Sequence, residues 1–114
     1  MLFTQISDIH LSIVNNLAVA KDLTYFCSDV VRLVSPSLVL VTGDLTHAKF
    51  SDERWSQQFE EEWRAYAEVL ERTRVREKCP WLDIRGNHGT LGGGWNFETV
   101  HCSQVNCSPH LYHR

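Results

Sequence analysis

The run Leu38-Val39-Leu40-Val41 constrains this chain more than any other feature. It is opened by Pro36-Ser37 and closed by Thr42-Gly43-Asp44, so it is too short for a buried helix. It also lacks the apolar–polar alternation of a strand with one wet face. A continuous apolar run of this kind is expected of a strand buried on both faces, in a parallel sheet flanked by helices. Two further segments fit the same sheet. Leu2-Phe3-Thr4-Gln5-Ile6 is β-prone and ends at a polar turn, and Trp81-Leu82-Asp83-Ile84 follows Pro80 and runs into Arg85-Gly86.

The intervening stretches have helical periodicity. Leu23, Phe26, Cys27, Val30, Val31 and Val34 recur at alternating steps of three and one, which marks one face of an amphipathic helix that Pro36 ends. In the second stretch Ser51 offers an N-cap, with Asp52 and Glu53 in the first turn, where carboxylates suit the helix dipole. Trp55, Phe59, Trp63, Tyr66, Leu70 and Thr73 then form a stripe at helical spacing. The acids Glu60, Glu61 and Glu62 are expected on the solvated side of that helix. The order β-α-β-α-β implies an α/β fold with a parallel sheet and right-handed crossovers. From Gly89 the hydrophobic periodicity stops and glycine, histidine and cysteine become frequent. Residues 1–88 are therefore read as an α/β unit and residues 89–114 as an irregular tail.

Composition narrows the function classes. The 114 residues suffice for one small domain, with 43% hydrophobic and 22% charged residues. The net charge is −3 and no basic run occurs, so nothing indicates nucleic acid as a partner. The longest apolar region, Val30 to Val41, is interrupted by Arg32, Ser35, Pro36 and Ser37 and is too short to span a bilayer. As written, with no leader-like segment before Asp8, the chain is expected to be soluble. Cys27 and Cys79 read as small buried residues. Cys102 and Cys107 in the tail lack zinc-knuckle spacing.

Chemistry is concentrated at the ends of the three expected strands. The first gives Asp8 and His10, the second Asp44 with Thr46 and His47 nearby, and the third Asn87 and His88. In an open parallel sheet the crevice beyond the carboxyl ends of the strands is the ligand site, so these clusters should meet there. Each alone is a common turn sequence; three in order, all of metal-ligand type, form the signal. Asp8 and His10 can turn toward one cation, and Asp44 follows a glycine that frees the backbone to aim its carboxylate between two ions about 3.5–4 Å apart. Asn87 adds a neutral amide oxygen. A mixed oxygen and nitrogen set without thiolate suits manganese, iron or zinc better than calcium. His88 is placed to protonate a leaving group. A Rossmann-type nucleotide module fits poorly, because no Gly-x-Gly-x-x-Gly follows the first strand.

Asp8-Ile9-His10, Gly43-Asp44 and Gly86-Asn87-His88 together resemble the signature of the calcineurin-like metallophosphoesterases. The resemblance covers residues 1–88. It implies the first half of a phosphoesterase sandwich, with hydrolysis of phosphate mono- or diesters by two divalent metal ions. In that reading Asp8 and His10 bind the first metal, Asp44 bridges both, Asn87 binds the second and His88 is the catalytic histidine. Some members carry membrane segments beyond the phosphoesterase domain.

Three departures bear on activity. His47 stands where the family often has aspartate, and Gly89 stands where it has an acid that orients the catalytic histidine. The family's later Gly-His-x-His ligands have no counterpart, since His101, His110 and His113 come too soon and with other spacing. The expectation is therefore a replaced C-terminus after His88, an incomplete second metal site, and a chain of weak or no activity. The alternative function is a non-catalytic isoform acting through protein contacts or weak metal binding.

Overall fold

The computed structural model describes residues 1–49 and 58–84. Three strands, β1 (Phe3–Ile6), β2 (Leu38–Thr42) and β3 (Trp81–Ile84), form one sheet in the order β1-β2-β3. Both pairings are parallel: Phe3 lies opposite Leu38, and Val39 opposite Trp81. The first crossover contains a short 3₁₀ turn (Ile13–Asn15), α1 (Val19–Tyr25), a π turn (Phe26–Val30) and α2 (Val31–Val34). The second contains α3 (Glu60–Thr73) and α4 (Val75–Lys78). The α/β order expected from the sequence is the order found.

Both crossovers step across the sheet in the same direction. With one preferred hand, two such connections place their helices on the same face, and α1 does pack against α3. The core lies between these helices and that face. Val39, Val41 and Trp81 point into it from the sheet, and Leu23, Cys27, Val31, Trp63, Tyr66 and Leu70 from the helices. The opposite face carries Phe3, Leu38, Leu40, Leu82 and Ile84 by strand alternation. Phe3, Leu82 and Ile84 are exposed, and Leu38 and Leu40 only half-buried. The expectation that β2 is buried on both faces thus holds for one face among the described residues.

The first helical stretch bends the periodicity read from sequence. Leu23, Cys27 and Val31 are buried, whereas Phe26 and Val30 are half-buried and Val34 is exposed. The wider π turn explains this: it keeps residues four apart in line, so 23, 27 and 31 stay on the core side. Ser35, in the left-handed region at φ 48°, ends the helix and its N–H bonds back to the Val31 carbonyl at 2.8 Å.

The second stretch differs at its start. Phe59 is extended at the N-cap and α3 begins at Glu60, so Phe59 precedes the helix rather than lying on its face. Trp55 and Ser51 lie outside the described residues, as do 85–114. Trp63, Tyr66, Val69 and Leu70 form the buried stripe of α3. Glu60 and Glu61 are exposed, as expected, but Glu62 is fully buried. That corrects the reading of all three acids as a solvated face.

Tyr66 ties α3 to β3. Its hydroxyl donates to Asp83 Oδ2 at 2.7 Å and accepts from Trp81 Nε1 at 2.9 Å. Burial, reinforced by the Asp83 charge, pushes the Tyr66 hydroxyl well above its ordinary pKa, so it stays a donor. Tyr66→Phe removes one partner each from a carboxylate and a buried indole N–H. Urea unfolding should show a loss of about 1–3 kcal/mol; a change within about 0.3 kcal/mol would mean the bridge contributes nothing net.

Candidate metal centre

The site is built by backbone pairing that continues beyond the strands. After Ile6 and Thr42 the two chains leave regular β geometry but stay hydrogen-bonded. Asp8 N donates to Gly43 O at 3.2 Å, His10 N to Asp44 O at 2.9 Å, and Leu11 N to Leu45 O at 3.0 Å. His47 N returns to Leu11 O at 2.8 Å, and Leu11 bridges Thr46 in parallel. Leu11, Leu45 and Ala48 are buried beneath the loops and anchor them to the core.

Within this paired segment the three candidate ligands share an unusual backbone conformation. Asp8, His10 and Asp44 all have left-handed φ values, of 57°, 49° and 52°. Such a conformation costs an L-residue on the order of 1 kcal/mol, somewhat less for Asp and His. Strain of this kind collects where a site needs particular side-chain directions. Gly43, at φ 107°, supplies the one conformation here that suits glycine alone, and its carbonyl receives the Asp8 N–H.

One carboxylate oxygen from each aspartate and one ring nitrogen of His10 lie within 4.8 Å of one another. His10 Nε2 stands 3.6 Å from Asp8 Oδ1 and 3.8 Å from Asp44 Oδ2. These separations exceed a hydrogen bond. Donors each about 2.1 Å from a shared ion lie roughly 3.0–3.6 Å apart, so a small inward movement would close the set on one cation. The donor chemistry fits as well: two hard anionic oxygens and one imidazole, on a partly open rim. Asp44 is the most enclosed side chain, at 15% exposure, and Asp8 the most open, at 68%. Ser7 Oγ donates to Asp8 Oδ2 at 2.6 Å and restrains that carboxylate.

His47 approaches from the other side of His10. Their Nδ1 atoms are 3.5 Å apart and the rings meet edge to face at 5.6 Å. One ring nitrogen of His10 therefore faces the carboxylates and the other faces His47. The neighbour of a ligating histidine sets which nitrogen is free to bind. Of the residues expected at the site, Asp8, His10 and Asp44 are brought together. Asn87 and His88 lie outside the described residues.

Glu62 is the participant that sequence reasoning missed. Its Oε1 accepts from Ile13 N at 3.1 Å and its Oε2 from Ala48 N at 3.0 Å. One carboxylate thus holds the loop after β1 and the loop after β2. Burial pushes its pKa up, while the N–H groups of Ala48, Ile13 and His47 pull it down. A signal existed: Glu62 is three residues after Phe59 and four before Tyr66, on the apolar stripe itself.

The profile of the calcineurin-like phosphoesterases matches residues 1–113. The chain belongs to that family. Among its relatives, transmembrane protein 62 of Mus musculus is 51% identical over 84 residues, which is 74% of this chain and 13% of that protein. A candidate metallophosphoesterase of Arabidopsis thaliana is 37% identical over 91 residues, or 77% of this chain and 12% of that protein. The chain therefore spans only a small part of the length of either relative. No solved structure matches it. No helix among the described residues is long and apolar enough to cross a membrane. The family is one of metal-dependent phosphoesterases.

Gly43 gives the site a direct structural test. Gly43→Ala forces a Cβ into a φ of 107° and should lower unfolding free energy by about 1–3 kcal/mol. An unchanged urea midpoint would mean that the loop accepts an ordinary residue and that its geometry is not held as described.

Proposed function

We propose that Asp8, His10 and Asp44 hold a divalent cation, and that the chain contributes the N-terminal half of a site hydrolysing phosphate mono- or diesters. The observation carrying this reading is the convergence of three donors from two hydrogen-bonded loops at the carboxyl end of a parallel sheet. Membership of the family and likeness to a candidate metallophosphoesterase support it. When bound, divalent ions supply Lewis-acid polarisation of a phosphoryl oxygen and make water more acidic near neutral pH.

The chain's own residues have distinct parts in this reading. Asp8 and His10 would hold the first ion, and Asp44, the most enclosed of the three, would be shared with the second. Asn87 would lend its amide oxygen to the second ion. His88 would donate a proton to the leaving-group oxygen. Manganese, iron or zinc suits this donor set. In this reading residues 1–88 form the phosphoesterase part and 89–114 a divergent tail, although the family match itself extends to residue 113.

The 114-residue chain is expected to turn over slowly. A second ion would have Asp44, shared, and Asn87, neutral, while a Gly-His-x-His motif does not occur in these residues. Gly89 also leaves His88 without the neighbouring acid that would fix its ring. The remaining ligands would have to come from elsewhere.

Calorimetric titration with Mn²⁺, paired with nitrophenol release from a mono- and a diester, tests both halves of the proposal. The expected result is one Mn²⁺ per chain, bound at least about tenfold more weakly in Asp44→Asn, and ester turnover close to the protein-free rate. Equal Mn²⁺ affinity in Asp44→Asn would defeat the site. Fast turnover abolished by Asp44→Asn would show that this chain already holds a complete centre.

A further inference from the structure

We propose that Glu62 is a positioning residue for the metal centre: its buried carboxylate clamps the two ligand loops at a fixed separation. The inference rests on the metal reading of Asp8, His10 and Asp44. Glu62 acts through the backbone of the loops that carry them. It grips the chain just past them, at Ile13 on the first loop and Ala48 on the second.

The position of this carboxylate argues for more than filling space. Glu62 is fully buried on the apolar stripe of α3, where its neighbours are Trp63 and Tyr66. An ionised carboxylate is costly in such surroundings unless its oxygens are satisfied. Here both oxygens accept backbone N–H groups, and those groups belong to different loops. The bonds also fill a need of the loops, because a buried N–H left unpaired is costly and the Ala48 N–H is buried. Neither shape nor charge alone will replace it. Glutamine retains one acceptor but presents its NH₂ to the other N–H, so one loop must move away.

Separation of the loops matters because His10 and Asp44 sit on opposite ones. His10 Nε2 and Asp44 Oδ2 are 3.8 Å apart, already slightly more than the roughly 3.0–3.6 Å between donors to one small ion. A clamp that loosens would widen this gap, whereas a bound ion would draw the loops inward and tighten the clamp. By reciprocity the coupling must appear in both directions.

Two measurements on the whole chain test the inference. The first is Mn²⁺ affinity in wild type, Asp44→Asn, Glu62→Gln and Val31→Ala. Val31, buried on α2, serves as a control for instability away from the ligand loops and from α3. Glu62→Gln is expected to weaken Mn²⁺ binding by about tenfold or more, as removal of a supporting contact to a metal site does, while Val31→Ala keeps the wild-type affinity. The second needs no variant and so stands even if Glu62→Gln fails to fold. Amide hydrogen exchange is followed in wild type with and without Mn²⁺. The Ile13 and Ala48 amides should slow more than the Ser37 amide, which bonds to Leu2 O at the opposite end of the sheet.

Wild-type affinity in a folded Glu62→Gln, or equal slowing at Ile13, Ala48 and Ser37, would overturn the clamp while leaving the metal site standing. Undiminished binding in Asp44→Asn would instead overturn the metal reading, and the clamp with it.

Discussion

The structure depends on hydrogen bonds that outlast the sheet. β1 and β2 stop at Ile6 and Thr42, yet Asp8, His10 and Leu11 go on donating to Gly43, Asp44 and Leu45. Here the loops advance together for several residues, and Asp8, His10 and Asp44 adopt left-handed backbone angles. Asp8, His10 and Asp44 are consequently neighbours by backbone pairing, before any side-chain choice is made. The energetic cost is backbone strain at each of the three positions. It is offset by burial of Leu11, Leu45 and Ala48 below and by the Glu62 carboxylate at the side.

The one-sided packing follows from the topology. Strand order β1-β2-β3 sends both crossovers over the same face, so the helices build one core and leave Phe3, Leu82 and Ile84 on the other side. An apolar sheet face of this kind fits the half-sandwich that the sequence resemblance implies. The helical core also stabilises the site indirectly. Tyr66, Asp83 and Trp81 lock α3 to β3, and α3 in turn presents Glu62 to the loops.

The strands were legible in the sequence because Pro36, Gly43 and Pro80 punctuate short apolar runs, and the candidate ligands were legible because each stands just after such a run. Four features were not. The π turn at Phe26–Val30 leaves no trace in composition, and it shifts which apolar residues reach the core. Pairing of the two loops is a backbone property, to which the identities of Asp8 and Asp44 give no clue. By charge alone Glu62 reads as one of three solvated acids. Its spacing from Tyr66 put it on the buried stripe, and a carboxylate there can be stable only with partners such as the Ile13 and Ala48 amides. The start of α3 at Glu60 was also hidden, since Phe59 continues the helical spacing while standing extended at the cap.

The central claim is that two paired loops create one cation site, and paramagnetic broadening of backbone amide signals by Mn²⁺ addresses it most directly. Below one equivalent of Mn²⁺, the amides of residues 8–11 and 43–46 should broaden together and first, with the exposed acids Glu60, Glu71 and Glu77 unaffected. Broadening of one loop without the other, or broadening that starts at those helix carboxylates, would contradict the account.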